Sequence, residues 1–174
     1  MKKQFTELIS ACSALVFLLF LTPTDSTAQY CASNANSTSF EHISNVTNGA
    51  FSNPSGNTSY TDYTDLGSIG DSGTGVPVTL SVEISGGFPD DDIWIFVDSD
   101  GDGDFQVDEQ VGVSIDFDNG AAVQTVLVPM TVPADAVLGE RRLRIQMFED
   151  FDDTNPSDPC ETGFLFGKVE DYII

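Results

Sequence analysis

Residues 93–113 read Ile93-Trp94-Ile95-Phe96-Val97-Asp98-Ser99-Asp100-Gly101-Asp102-Gly103-Asp104-Phe105-Gln106-Val107-Asp108-Glu109-Gln110-Val111-Gly112-Val113. Asp98, Asp100, Asp102, Gly103 and Glu109 fill the spacing D-x-D-x-D-G-x5-E, that of the twelve-residue calcium loop of an EF-hand. A hard cation of this size takes six to eight oxygen ligands, and alternate side chains of a tight loop can converge on one point. In this register Asp98, Asp100 and Asp102 supply carboxylates, Gly103 permits the sharp turn, Asp104 offers its backbone carbonyl and Gln106 holds a water. Glu109 closes the site with both of its oxygens, and Phe105 is placed to pin the loop to a core. An EF-hand proper needs an amphipathic helix on each side. Here an unbroken apolar run precedes the loop and an alternating one follows it, the patterns of strands. Asp and Gly are also the ordinary residues of polar turns. Four acidic ligand positions together with the glycine favour a cation loop set into a β domain.

Working outward, Val76, Val78, Leu80, Val82 and Ile84 alternate with polar residues, as a strand with one wet face requires. Leu143, Ile145 and Met147 alternate in the same way with Arg142, Arg144 and Gln146. A strand is expected from Val123 to Val132, and a last one from Lys168 to Ile173. A weaker strand is expected from His42 to Phe51. Residues 132–139, Val-Pro-Ala-Asp-Ala-Val-Leu-Gly, read as a crossover, and Asp118-Asn119-Gly120 as a turn. Short strands punctuated by Gly, Pro, Asn and Asp, with no helical periodicity, predict an all-β domain. The expected architecture is an antiparallel β-sandwich, Ig-like or jelly-roll-like, occupying residues 29–174. Trp94, Phe96, Phe105, Phe148 and Phe166 are assigned to its core or sheet faces.

The amino end carries Lys2 and Lys3, an apolar run from Ala11 to Leu21, Pro23, and then Ser26-Thr27-Ala28. This is the pattern of a cleaved export signal over residues 1–28. The apolar run is too short to span a bilayer, which takes about 20 residues. Ile9-Ser10-Ala11-Cys12 resembles the box before a lipid-modified cysteine, but the apolar run follows Cys12 where it should precede it. The formal net charge is −22, and the signal removes two basic and two acidic residues, so it survives cleavage. That charge argues against nucleic acid and anionic membranes as partners. It also costs self-repulsion, which divalent cations would relieve. Cys12 leaves with the signal, so Cys31 and Cys160 remain as a pair, and an oxidising compartment makes a disulfide between them the expectation.

Tyr30-Cys31, Ile43-Ser44-Asn45-Val46 with Gly49, Tyr60-Thr61-Asp62-Tyr63-Thr64, the Ile93 to Glu109 stretch, Val132-Pro133-Ala134, Gly139 with Arg142 and Arg144, Pro159-Cys160 and the terminal Gly167-Lys168-Val169-Glu170-Asp171-Tyr172 resemble the GEVED domain of secreted bacterial proteins. The resemblance spans nearly all of residues 29–174. It implies a β-sandwich accessory module attached to extracellular proteases, adhesins or surface proteins, with no established catalytic activity. Its motif residues fall on Gly167, Val169, Glu170, Asp171 and Tyr172. Lys168 stands where the family signature carries a further glutamate. Family members commonly continue into linkers or a sorting domain, whereas this sequence stops at Ile174, so periplasmic retention is kept beside secretion as an expectation.

Glu170 and Asp171 fall on opposite faces of the last strand. An ion pair with Arg142 or Arg144 is the reading preferred over metal ligation, since carboxylates in sheets need partners. A second cation site from Glu149, Asp150, Asp152 and Asp153 competes with a solvated acidic loop. Enzymatic readings lack parts, because His42 is the only histidine and Ser-His-Asp or zinc-hydrolase schemes need more. A glycoside hydrolase using two carboxylates is the residual enzymatic alternative. The expectation is a secreted, calcium-stabilised, non-catalytic binding or adhesion module whose ligand is a glycan or cell-surface protein. Its rival is a structural spacer or protein–protein module.

Overall fold

The computed structural model describes residues 29–117, 120–149 and 158–174. The export signal read over residues 1–28, the turn residues Asp118 and Asn119 and the acidic run from Asp150 to Asp153 lie outside the described residues. The strands are β1 (Asn34–Ser37), β2 (His42–Asn48), β3 (Phe51–Pro54), β4 (Tyr60–Asp62), β5 (Val78–Ser85), β6 (Asp91–Val97), β7 (Gln110–Ser114), β8 (Val123–Met130), β9 (Arg142–Glu149) and β10 (Thr162–Ile173). Among the described residues the helical segments are two three-residue 3-10 turns, Thr64–Leu66 and Val107–Glu109. The described residues are therefore all-β, as their alternation predicts.

The strands hydrogen-bond in one curled path, β1-β10-β9-β6-β7-β8-β5-β2-β3, with β4 also paired to β10. This differs from the expected purely antiparallel architecture, because β1 and β4 both run parallel to β10. Each reaches β10 through a long excursion of chain rather than a hairpin, the kind of connection that parallel pairing requires. Two arms, β1-β10-β9-β6-β7 and β8-β5-β2-β3, meet at a narrow joint where β7 and β8 share the single pair Gly112 and Met130. A Cβ on Gly112 would stand 2.8 Å from the Pro129 carbonyl oxygen, so glycine allows this close approach. The segment 132–139 links β8 to β9, which are not neighbours, and so carries the chain from one arm to the other.

Several strand boundaries differ from the sequence reading: β8 ends at Met130, short of Val132, and β5 begins at Val78, after Val76. The expected strand from His42 to Phe51 is a hairpin, since the chain reverses at Gly49 with φ +57°, a left-handed conformation suited to glycine. β10 starts six residues before Lys168. Its early part holds Gly163 and Gly167, which obscure a strand pattern.

The core explains the strand patterns. Ile43, Val46, Leu80, Val82, Ile84, Val126 and Val128 of one arm pack with Ile93, Ile95, Val97, Leu143, Ile145, Met147 and Tyr172 of the other. A second cluster on the far face of the β10-β9-β6 arm joins Trp94, Phe96, Phe105, Phe148, Phe164, Val169 and Ala35, with Tyr30 and Cys31 packed against it. Every residue of β6 is buried because both of its faces are covered, and a strand in that position reads as a continuous apolar run. β8 has one covered face and alternates buried with exposed along its whole length.

β10 carries polar groups into both clusters. On the first face, Lys168 Nζ pairs with Glu170 Oε1 at 2.6 Å, with both side chains wholly buried. Lys168 also donates to the Ile43 carbonyl at 3.2 Å and to Ser55 Oγ at 3.0 Å. Tyr172 donates its hydroxyl to Glu170 Oε2 at 2.6 Å and accepts from Asn53 at 3.0 Å. Lys168 is thus the counter-charge of Glu170, and the two lie two residues apart on one face of a strand. Gly167 has φ +123°, and a Cβ there would stand 2.0 Å from the Met147 carbonyl oxygen.

Gly167→Ala is therefore expected to lower the unfolding free energy by roughly 3 kcal/mol or more, from backbone strain and overpacking together, measured by urea denaturation. Lys168→Met leaves Glu170 buried without its cation and is expected to cost about 3–5 kcal/mol in the same assay. Adding Glu170→Gln to that variant should recover part of the loss, and a double variant weaker than the single one would contradict the pairing.

Candidate metal centre

The acidic loop leaves the end of β6 and returns into β7, so strands bracket it. Asp98 is 2% exposed. Its Oδ1 accepts the Gly101 N–H at 2.7 Å, and its Oδ2 accepts the Gly103 N–H at 3.2 Å and the Tyr30 hydroxyl at 2.6 Å. Asp100 Oδ1 accepts the Asp102 N–H at 3.0 Å, and Asp102 Oδ1 accepts the Asp104 N–H at 2.9 Å. These side-chain turns fold the loop back on itself. Gly101 and Gly103 supply the left-handed corners at φ +75° and +90°.

The result is convergence, since ligand oxygens of Asp98, Asp100 and Asp102 lie within 4.8 Å of one another. Calcium holds its oxygens at 2.3–2.6 Å, so ligands across the ion stand up to about 5 Å apart. The three carboxylates fit that span. They are buried, exposed and exposed in turn, which leaves one side of the loop open to solvent. Any ion there would neutralise part of a cluster that has no basic group of its own within the loop.

The remaining sequence-predicted ligands stand differently. Glu109 is 5% exposed and reaches across the loop, its Oε1 accepting the Ser99 N–H at 2.6 Å and its Oε2 the Gln106 N–H at 3.1 Å. Burial raises its carboxyl above the usual range, opposed by these amide hydrogen bonds. It ties the two ends of the loop together and is not within the 4.8 Å grouping of the three aspartates. Gln106 donates its side-chain amide to Asp102 Oδ2 at 2.9 Å. The Asp104 carboxylate accepts the Cys31 and Phe105 N–H groups at 3.3 and 2.9 Å. It also lies within 4.8 Å of both cysteine sulfurs, but these are joined in the Cys31–Cys160 disulfide and offer no thiolate.

Phe105 pins the loop as its position predicts, being 3% exposed. Tyr30 packs on it at 5.0 Å between ring centroids, and the Arg144 guanidinium lies 4.6 Å above it. Arg142 in turn covers the Tyr30 ring at 4.7 Å. Arg144, 1% exposed, grips Asp171 with two bonds of 2.7 Å and donates to the Cys31 carbonyl at 3.0 Å and the Pro159 carbonyl at 2.7 Å. Arg142 pairs with Asp171 at 3.1 Å and with Asp62. Asp171 thus takes the expected arginines, while Glu170 takes Lys168 on the opposite face.

Tyr30 is the loop partner that sequence reasoning missed. The signal available was its adjacency to Cys31, which fixes it wherever the disulfide goes. Searches of the curated proteins and of the solved structures return no match. The model of the GEVED domain family matches residues 92–174. The match takes in the acidic loop, β9, Cys160 and the whole of β10, and it leaves β1 to β5 outside. The resemblance to the GEVED domain family is thus shown over residues 92–174.

Proposed function

We propose that this protein is a secreted, calcium-stabilised, non-catalytic β-sandwich module that binds a glycan or a surface protein at the cell exterior. The observation that carries the reading is the convergence of Asp98, Asp100 and Asp102 within 4.8 Å in a loop framed by strands. A hard cation there engages all three carboxylates and relieves their mutual repulsion. The ion's role is local rigidity, because Phe105, Tyr30 and the disulfide already fix the base of the loop. The sandwich reading draws support from the two arms, which enclose one common core and join through one residue pair. The disulfide is compatible with an extracellular location. Among the described residues no helix is long and apolar enough to cross a membrane. For ligand contact, Phe40 and Phe88 are exposed and meet edge to face at 6.0 Å, a surface of the kind on which sugar rings pack. A glycan array probed with calcium-loaded protein and with Phe40→Ala tests that part, and binding indifferent to the substitution would reject this surface.

Extracellular calcium modules bind at about 10⁻⁴ to 10⁻³ M, and at ten times the dissociation constant the linkage gain is roughly 1.4 kcal/mol. Chelation should therefore lower the melting temperature by several degrees without unfolding the domain. In Asp98→Asn/Asp100→Asn the part of this shift due to the loop should vanish. Superimposable melting curves of the unmodified protein in calcium and in chelator would contradict the reading. Reduction of the disulfide, which closes a sequence separation of 129 residues, should cost more, with about 5 kcal/mol as the upper figure.

A further inference from the structure

A second acidic cluster lies away from the loop, at the end of the β2-β5 pair. Glu41, immediately before β2, is 0% exposed, and both of its carboxylate oxygens are shut off from solvent without a hydrogen-bond partner. The turn after β5 lies directly over it: a Cβ on Gly86 would stand 1.8 Å from the Phe40 carbonyl oxygen and 3.2 Å from Glu41 Cα. Asp91 opens β6 and is also 0% exposed. It stands opposite Glu149 in the β6-β9 ladder, and its Oδ2 accepts the Phe88 N–H at 2.6 Å. The charges of Asp91 and Glu149 both act on Glu41. Burial first, and these two carboxylates after it, push its proton affinity up to about 8.

A buried carboxylate is stable only with a counter-charge or a full set of hydrogen bonds. Among the described residues the protein's own cations do not supply one. Beyond residue 28 the basic side chains are Arg141, Arg142, Arg144 and Lys168. Arg141 bonds the Glu140 and Leu138 carbonyls, Arg142 and Arg144 serve Asp171, and Lys168 serves Glu170. A bound proton neutralises Glu41 below about pH 8, and any other compensating charge must come from outside the described residues.

We infer that Glu41, Asp91 and Glu149 form a second site for a hard divalent cation of the calcium class, separate from the Asp98 loop. Three carboxylates from three segments offer the all-oxygen donor set that such an ion takes. Their oxygens are not within 4.8 Å of one another as those of the Asp98 group are, so the ion draws Glu41 and Glu149 inward or shares waters with them. Bound there, it joins the entry to β2, the start of β6 and the end of β9. That is the edge of the domain opposite the one the acidic loop serves. The inference does not depend on the reading of that loop.

The test is calcium stoichiometry by equilibrium dialysis and native mass spectrometry on the full chain. Asp98→Asn/Asp100→Asn is expected to retain one calcium equivalent, and adding Glu41→Gln should abolish it. Glu149→Gln in place of Glu41→Gln should weaken that equivalent at least tenfold. Folding is checked by melting in chelator, where Glu41→Gln should be no less stable than the unmodified protein, because glutamine matches the protonated glutamate in shape and carries no charge to repel Asp91 and Glu149. If the triple variant binds as much calcium as the double variant, the site is refuted. It is refuted equally if calcium stabilises Glu41→Gln as much as the unmodified chain.

Discussion

One buried guanidinium holds this structure together. Arg144 reaches from β9 to both oxygens of Asp171 on β10 and, with its other end, to the carbonyls of Cys31 and Pro159. Its planar fork joins β9 to partners 15, 27 and 113 residues away in sequence, a geometry lysine cannot reproduce. The amino-terminal segment, the stretch before Cys160 and the terminal strand are thus fixed relative to one another, and the disulfide forms where they meet. With Phe105 beneath the same guanidinium, the acidic loop acquires a rigid floor. Removing either partner would strand a buried charge, the costly way to break such a pair.

The two faces of β10 solve the same electrostatic problem separately. Val169 and Asp171 point into the cluster with Arg144, whereas Lys168, Glu170 and Tyr172 point into the common core. Each carboxylate meets its own cation. A chain with a net charge of −22 therefore places three of its few basic side chains, Arg142, Arg144 and Lys168, against two aspartates and a glutamate. The rest of the surface is left strongly acidic, and a cation from solution would relieve the acidic groups brought close together at Asp98 or at Glu41.

Much of this was legible in the residues. Alternation in β5, β8 and β9 marks strands with distinguishable faces, and the unbroken run of β6 marks a strand covered on both. The loop spacing announced the convergence of Asp98, Asp100 and Asp102, and Phe105 fell where a pin was expected. What could not be read was pairing between distant strands. Nothing local in Asn34–Ser37 or Tyr60–Asp62 says that they run parallel to β10, because that order is set by packing over long excursions of chain. The Gly49 reversal and the extension of β10 through Gly163 and Gly167 were hidden for a related reason, glycine having no side chain to report a face. Glu109 kept its place in the spacing, yet its carboxylate lies on the loop's own amides, a preference that spacing alone does not encode.

The central claim is that the loop from Asp98 to Glu109 is a cation site set into a strand scaffold. It is tested most directly by a crystal structure grown in calcium, with diffraction data collected where calcium scatters anomalously. The account requires an anomalous peak at about 2.3–2.6 Å from oxygens of Asp98, Asp100 and Asp102, with β6 and β7 on either side. A calcium-rich crystal with no peak in the loop, and the three carboxylates turned apart into solvent, would contradict it.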